Sequence, residues 1–104
     1  MSDPKQKLTT EDINQADLNG WRQIDDTLQV RFATGDFATG LKLVNLIGES
    51  AEEANHHPDL ALTYPAVSVT LSSHDVGGLT SRDIDLARKI NEHAARLGVE
   101  AEKG

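Results

Sequence analysis

The chain has 104 residues, is 38% hydrophobic and 26% charged, and sets 17 acidic residues against 10 basic ones for a formal net charge of −7. That length suits a single domain over residues 1–104, and the acidic balance argues against a nucleic-acid partner, whose phosphates need a basic face. With no cysteine, no apolar core near the N-terminus and no apolar run of spanning length, it offers no disulfide or thiolate zinc site, and a cytoplasmic protein without a membrane partner is expected.

Residues 1–8 are polar and read as a tail. Thr9 or Thr10 caps a short helix over Glu11–Leu18, with Glu11 and Asp12 in its first turn and Asn19-Gly20 as its stop. Trp21–Asp25 and Leu28–Ala33 form a hairpin, the second arm alternating Leu28, Val30 and Phe32 with Gln29 and Arg31. Thr34-Gly35 breaks it, and a long helix over Asp36–Asn55 follows, with Phe37, Leu41, Val44, Gly48 and Ala51 as its apolar stripe. Pro58 cannot continue that helix, so His56 and His57 fall at a helix-to-strand junction.

Leu60–Tyr64 is a short strand with Leu60, Leu62 and Tyr64 on one face. Val67–Ser73 is another, alternating Val67, Val69 and Leu71 with Ser68, Thr70 and Ser72, so an extended chain puts His74 on the Ser/Thr face. Gly77-Gly78 turns the chain. Thr80 caps a last helix to Leu97, striped by Ile84, Ala87, Ile90, Ala94 and Leu97, and residues 98–104 read as a charged tail. The order α-β-β-α-β-β-α predicts an α+β fold: a four-stranded antiparallel sheet with three helices packed on one face.

Three of the four histidines, His56, His57 and His74, lie in a nineteen-residue window that also holds Asp59 and Tyr64, with Glu52 and Asn55 just before it and Asp83 close by. Imidazole is the side chain suited to proton transfer near neutral pH. Glu52 is one helical turn before His56, so a regular helix would set the carboxylate beside that ring. Each feature has a plain structural reading too. An adjacent His-His pair is often a solvated helix end, Asp83 three residues after Thr80 completes a capping box, and His93 falls on the solvent side of the last helix. A histidine-ligated metal is the rival chemistry, but neighbouring histidines diverge and His-Glu-x-x-His is absent, so no metal is expected. No nucleophile elbow, P-loop or dinucleotide fingerprint occurs either.

Taken together, Glu52-x-x-x-His56-His57-Pro58, then Tyr64, then His74, then Gly78-Leu79-Thr80-x-x-Asp83 resembles the pterin-4a-carbinolamine dehydratase family over almost the whole chain. The resemblance implies that family's four-stranded sheet, a homodimer or homotetramer, and a 4a-hydroxy-tetrahydropterin as small-molecule substrate. It implies dehydration to quinonoid dihydropterin and water, in tetrahydrobiopterin recycling, with no cofactor. It places His56, His74 and His57 as the acid–base and substrate-orienting residues, either of the first two serving as acid. It also places Glu52, Pro58, Ser72, Ser73, Asp75 and Asp83 as supporting or substrate-binding residues. Leu60 stands where many members carry an aromatic. The alternative it implies is a non-enzymatic dimerisation or assembly factor on the same fold, which would not need the histidines.

Overall fold

The computed structural model describes residues 5–102. Helix α1 spans Thr10–Gln15 and begins at a capping box, Thr9 with Asp12. Strands β1 (Arg22–Ile24) and β2 (Thr27–Ala33) form the first hairpin. Helix α2 spans Phe37–Ala54, capped by the Asp36 carboxylate on Thr39 N–H and closed by Asn55 in the left-handed region. Strands β3 (Asp59–Leu62) and β4 (Ala66–Leu71) follow. Helix α3 spans Ser81–Arg96 between the N-cap Thr80 and Gly98, and a two-residue strand β5, Glu100–Ala101, follows just before the end of the described chain. The fold is α+β, with the main strands in the antiparallel order β1-β2-β4-β3.

Alternation decides which sheet face is dry. In the β2–β4 ladder Leu28 opposes Leu71, Val30 opposes Val69 and Phe32 opposes Val67, and all six are buried with Ile13 of α1, Leu43 and Ile47 of α2, and Ile84, Ala87 and Ile90 of α3. The intervening Gln29–Thr70 and Arg31–Ser68 pairs turn to the opposite face and are not buried. All three helices therefore cover one face of the sheet.

Several expectations need correcting. The buried stripe of α2 is Gly40, Leu43, Ile47, Ser50 and Ala51, while Phe37 and Leu41 are 47% and 45% exposed. Apolar residues line two faces of this helix, and close approach selects one of them. A Cβ on Gly40 would lie 2.6 Å from Leu62 Cδ1 and 3.4 Å from Val67 Cγ2, so with Leu62 in this rotamer the glycine lets α2 settle closely onto β3 and β4. Tyr64 lies beyond β3 in the Thr63–Pro65 turn, 68% exposed, not on a strand face with Leu60 and Leu62. The first strand begins at Arg22. Trp21 precedes it, buried, with its indole N–H donating to Asn91 Oδ1 at 2.9 Å.

The two expected tails are partly anchored. Leu8 N–H donates to Leu79 O at 2.7 Å, and residues 1–4 lie outside the described chain. At the other end β5 pairs Ala101 with Phe32 and Glu100 with Ala33, while β1 pairs with Thr27–Gln29 on that same edge of β2. The two short strands thus share one edge, meeting at Gly20. A Cβ on Gly20 would collide with the Cβ of Ala101, and its φ of +86° disfavours any side chain. Gly20→Ala is expected to destabilise the protein by about 1–3 kcal/mol, read as a lowered thermal midpoint.

Candidate active site

Three elements bring the singled-out residues together. Asn55 in the left-handed conformation (φ 50°) ends α2, and Pro58 keeps the chain extended into β3. Asp59 then pairs with Thr70 and Leu60 with Val69. Asp83 joins His56, at this junction, to Ser73, the residue before His74. The strand end carrying His74 thereby lies next to the helix end carrying His56.

Past Leu71 the chain keeps its alternation. Ser73 follows Val67, Val69 and Leu71 to the helix-covered face and is buried, while Ser72 and His74 face outward. Ser73 and Gly78 then exchange backbone bonds (2.8 and 3.4 Å), closing a tight turn over His74–Gly77, with Gly77 at φ 65°. His74 is exposed, with Nε2 3.4 Å from Ser72 Oγ.

Asp83 is the centre of the buried part, with 0% exposure. It completes the α3 capping box, Oδ2 accepting from Thr80 N–H at 2.9 Å. The same oxygen accepts from Ser73 Oγ at 2.8 Å, and Oδ1 pairs with His56 Nε2 at 2.6 Å. The carboxylate only accepts, so the His56 ring donates from Nε2 and its Nδ1 is the nitrogen left for other partners. One side chain serves as helix cap and as histidine partner, where the sequence allowed those as separate readings.

The expected pairing of Glu52 with His56 does not occur. The helical spacing rule fails because Asn55 breaks the helix between them, and Glu52 Oε2 instead meets Nε2 of His57. Both groups of that pair are exposed, which makes it a surface contact worth a few tenths of a kcal/mol. Pro58 is half-buried between the pair and β3. Asp75, one residue after His74, accepts from Arg82 Nη2 at 2.8 Å, and that hydrogen bond holds its carboxyl below the usual carboxylate range.

His93 is not on the solvent side. It lies between α3 and α2, with Nε2 2.7 Å from Ser50 Oγ and Nδ1 buried without a partner among the described residues. Burial pushes its pKa down, Lys89 and Arg96 push the same way, and Glu92 and Glu49 oppose them. The unfolded chain therefore takes up this proton first as the pH falls through the ordinary imidazole value of about 6.5. Folding stability should decline in that window and level off below the folded value. Urea midpoints at about pH 7.5 and about pH 5.5 should differ less for His93→Gln than for the unchanged protein.

Two grooves lie apart from the histidine cluster. One of about 890 Å³ is lined by Trp21, Phe32, Asn91 and Ala101 among others, and one of about 390 Å³ by Ser50, Glu53, Arg82 and Lys89. Neither is lined by His56, His57 or His74. Cavity size and proton-transfer chemistry thus point to different places. The buried Asp83–His56 pair, next in the chain to His57 and joined through Ser73 to the turn that carries His74, is the stronger sign of chemistry, because a large groove alone supplies no acid or base. Among the described residues no three His, Asp or Glu side chains converge as a metal-ligand set, and no helix is long and apolar enough to cross a membrane.

Residues 6–93 match the protein family described as pterin 4 alpha carbinolamine dehydratase. A protein from Thermosynechococcus vestitus, provisionally named as such a dehydratase, is 43% identical over 91 residues, 86% of this chain and 96% of its own. Another from Nocardia farcinica, named the same way, is 43% identical over 89 residues, covering 84% and 94% of the two chains. The crystal structure of a transcriptional coactivator/pterin dehydratase from Brucella melitensis superposes with a TM-score of 0.81 at 34% identity, over 86% of this chain and 99% of that one. The chain belongs to the pterin-4a-carbinolamine dehydratase family.

Proposed function

We propose that the protein is a hydro-lyase that dehydrates a 4a-hydroxy-tetrahydropterin to quinonoid dihydropterin and water, as its family and the names of its relatives imply. The observation that carries the reading is the Asp83–His56 pair, buried at the carboxylate and set beside the strand end that bears His74. The C4a hydroxyl departs as water once a proton reaches its oxygen. The ring nitrogen next to C4a gives up its proton, and its electron pair forms the new C=N bond. Two imidazoles in different surroundings divide these roles. His56 works through Nδ1 because Asp83 occupies Nε2, and His74 is the exposed partner. His57, held by Glu52, orients the bicyclic ring, with Ser72 and Pro58 lining its approach.

The reaction belongs to tetrahydrobiopterin recycling, in the cytoplasm, with no cofactor. Self-association as a homodimer or homotetramer accompanies it. The exposed Phe37 and Leu41 on the outer stripe of α2 support that part of the reading, since paired copies would cover them. The test is the disappearance of synthetic 4a-hydroxy-tetrahydropterin, followed optically with and without the protein. A rate well above the buffer rate is expected, and a rate equal to it overturns the reading.

A further inference from the structure

We propose that Ser73 and Thr80 are positioning residues: their hydroxyls form a one-way hydrogen-bond chain from Arg82 to Asp83 that fixes the His56 tautomer and ties the His74 turn to it. The kinetic part of this inference rests on the dehydratase reading; the structural part does not.

The direction of the chain follows from its two ends. Arg82 can only donate, and the Asp83 carboxylate only accepts. Thr80 Oγ1 accepts from both the backbone N–H and the side-chain Nε–H of Arg82, each at 3.2 Å. Both lone pairs are then used, so its own proton points to Ser73 Oγ, 2.9 Å away. Ser73, having accepted, donates onward to Asp83 Oδ2 at 2.8 Å. With Thr80 N–H also on Oδ2, that oxygen holds two donors, and Oδ1 is left for His56 at 2.6 Å. Ser73, Thr80 and Asp83 are each no more than 1% exposed, so water does not compete for these bonds and each strengthens its neighbour.

The chain also reaches the other half of the site. Arg82 grips Asp75, the residue after His74, and the Ser73 backbone closes the turn on Gly78. Ser73 thus holds His56 through its side chain and His74 through its main chain. The capping box of α3 needs only Thr80 and Asp83, so the Ser73 hydroxyl is not required to start the helix. Its removal leaves the Thr80 hydroxyl without an acceptor and frees the Asp83 carboxylate to rotate away from His56.

Ring ¹⁵N–¹H spectra of His56 and steady-state dehydration of 4a-hydroxy-tetrahydropterin, measured on wild type, Ser73→Ala and Ser73→Thr, test this. Wild type should show His56 as the Nε2–H tautomer with a slowly exchanging, downfield ring proton. Ser73→Ala should lose that signal and about tenfold in kcat, the order expected for one lost hydrogen bond to a charged group, with KM little changed. Ser73→Thr should restore both. Wild type found as the Nδ1–H tautomer overturns the proposal outright, whatever the variants do. So does folded Ser73→Ala with the signal intact and kcat within about twofold of wild type. A wild type without dehydratase activity in which Ser73→Ala still scrambles the tautomer supports the chain and sinks only the dehydratase reading.

Discussion

The Asp83→Asn protein should fold and should lose at least about 10²-fold in dehydration rate. An amide has one accepting and one donating end, whereas the site asks for acceptance on both sides. Thr80 N–H and Ser73 Oγ approach one oxygen and His56 the other. The amide oxygen takes the side with two donors, so its NH₂ faces His56. That ring must then present a bare Nε2 and carry its proton on Nδ1, which reverses the nitrogen offered to substrate. The stability cost is smaller, about 1–3 kcal/mol, because the capping bond from Thr80 N–H survives. In a domain of this size that lowers the thermal midpoint by roughly 4–8 °C per kcal/mol. Steady-state rates measured well below the melting transition separate the two effects, and an unchanged rate would contradict the assignment.

His56→Ala should lower the rate by about 10²–10⁴-fold, the usual yield of a positioned acid or base. His57→Ala should do less, because its only described side-chain bond is an exposed pair with Glu52 and its proposed part is orientation. Glu92→Gln, on the exposed side of α3, is the control and should keep the wild-type rate. His93 is unsuitable for that purpose, since its bond to Ser50 makes it part of the α2–α3 contact. Equal rates for the His56→Ala and control proteins would remove His56 from the chemistry.

Much of the fold was legible because the signals were local. Asp36 and Thr80 start their helices, Gly98 follows the last one, and the alternating strands β2 and β4 pair in the register their apolar faces require. Strand β5 was not legible, since two residues carry no period. Nor was the buried face of α2, because Phe37 and Leu41 are as apolar as Leu43 and Ile47, and the choice falls to the close approach at Gly40. At the site, the resemblance named His56, Asp83 and Ser73, which hydrogen bonds join, but not who pairs with whom. Spacing along a helix assigned Glu52 to His56, and a single left-handed residue, Asn55, handed it to His57. The partner His56 does have lies 27 residues away; spacing showed it only as a capping residue, and the family resemblance named it as a supporting acid without saying which histidine it supports. Ser73 betrayed its inward direction through strand alternation with Leu71, a signal present in the sequence and outweighed there by its neighbour His74. Thr80 and Arg82 gave no sign beyond helix capping.

The most direct measurement is a titration of the protein with a stable dihydropterin, followed through the ring signals of its histidines and the indole N–H of Trp21. Shifts at His56, His57 and His74, with Trp21 unmoved, are the predicted result. A shift at Trp21 in the larger groove, with those three rings silent, would place the pterin away from the acid–base groups and contradict the account.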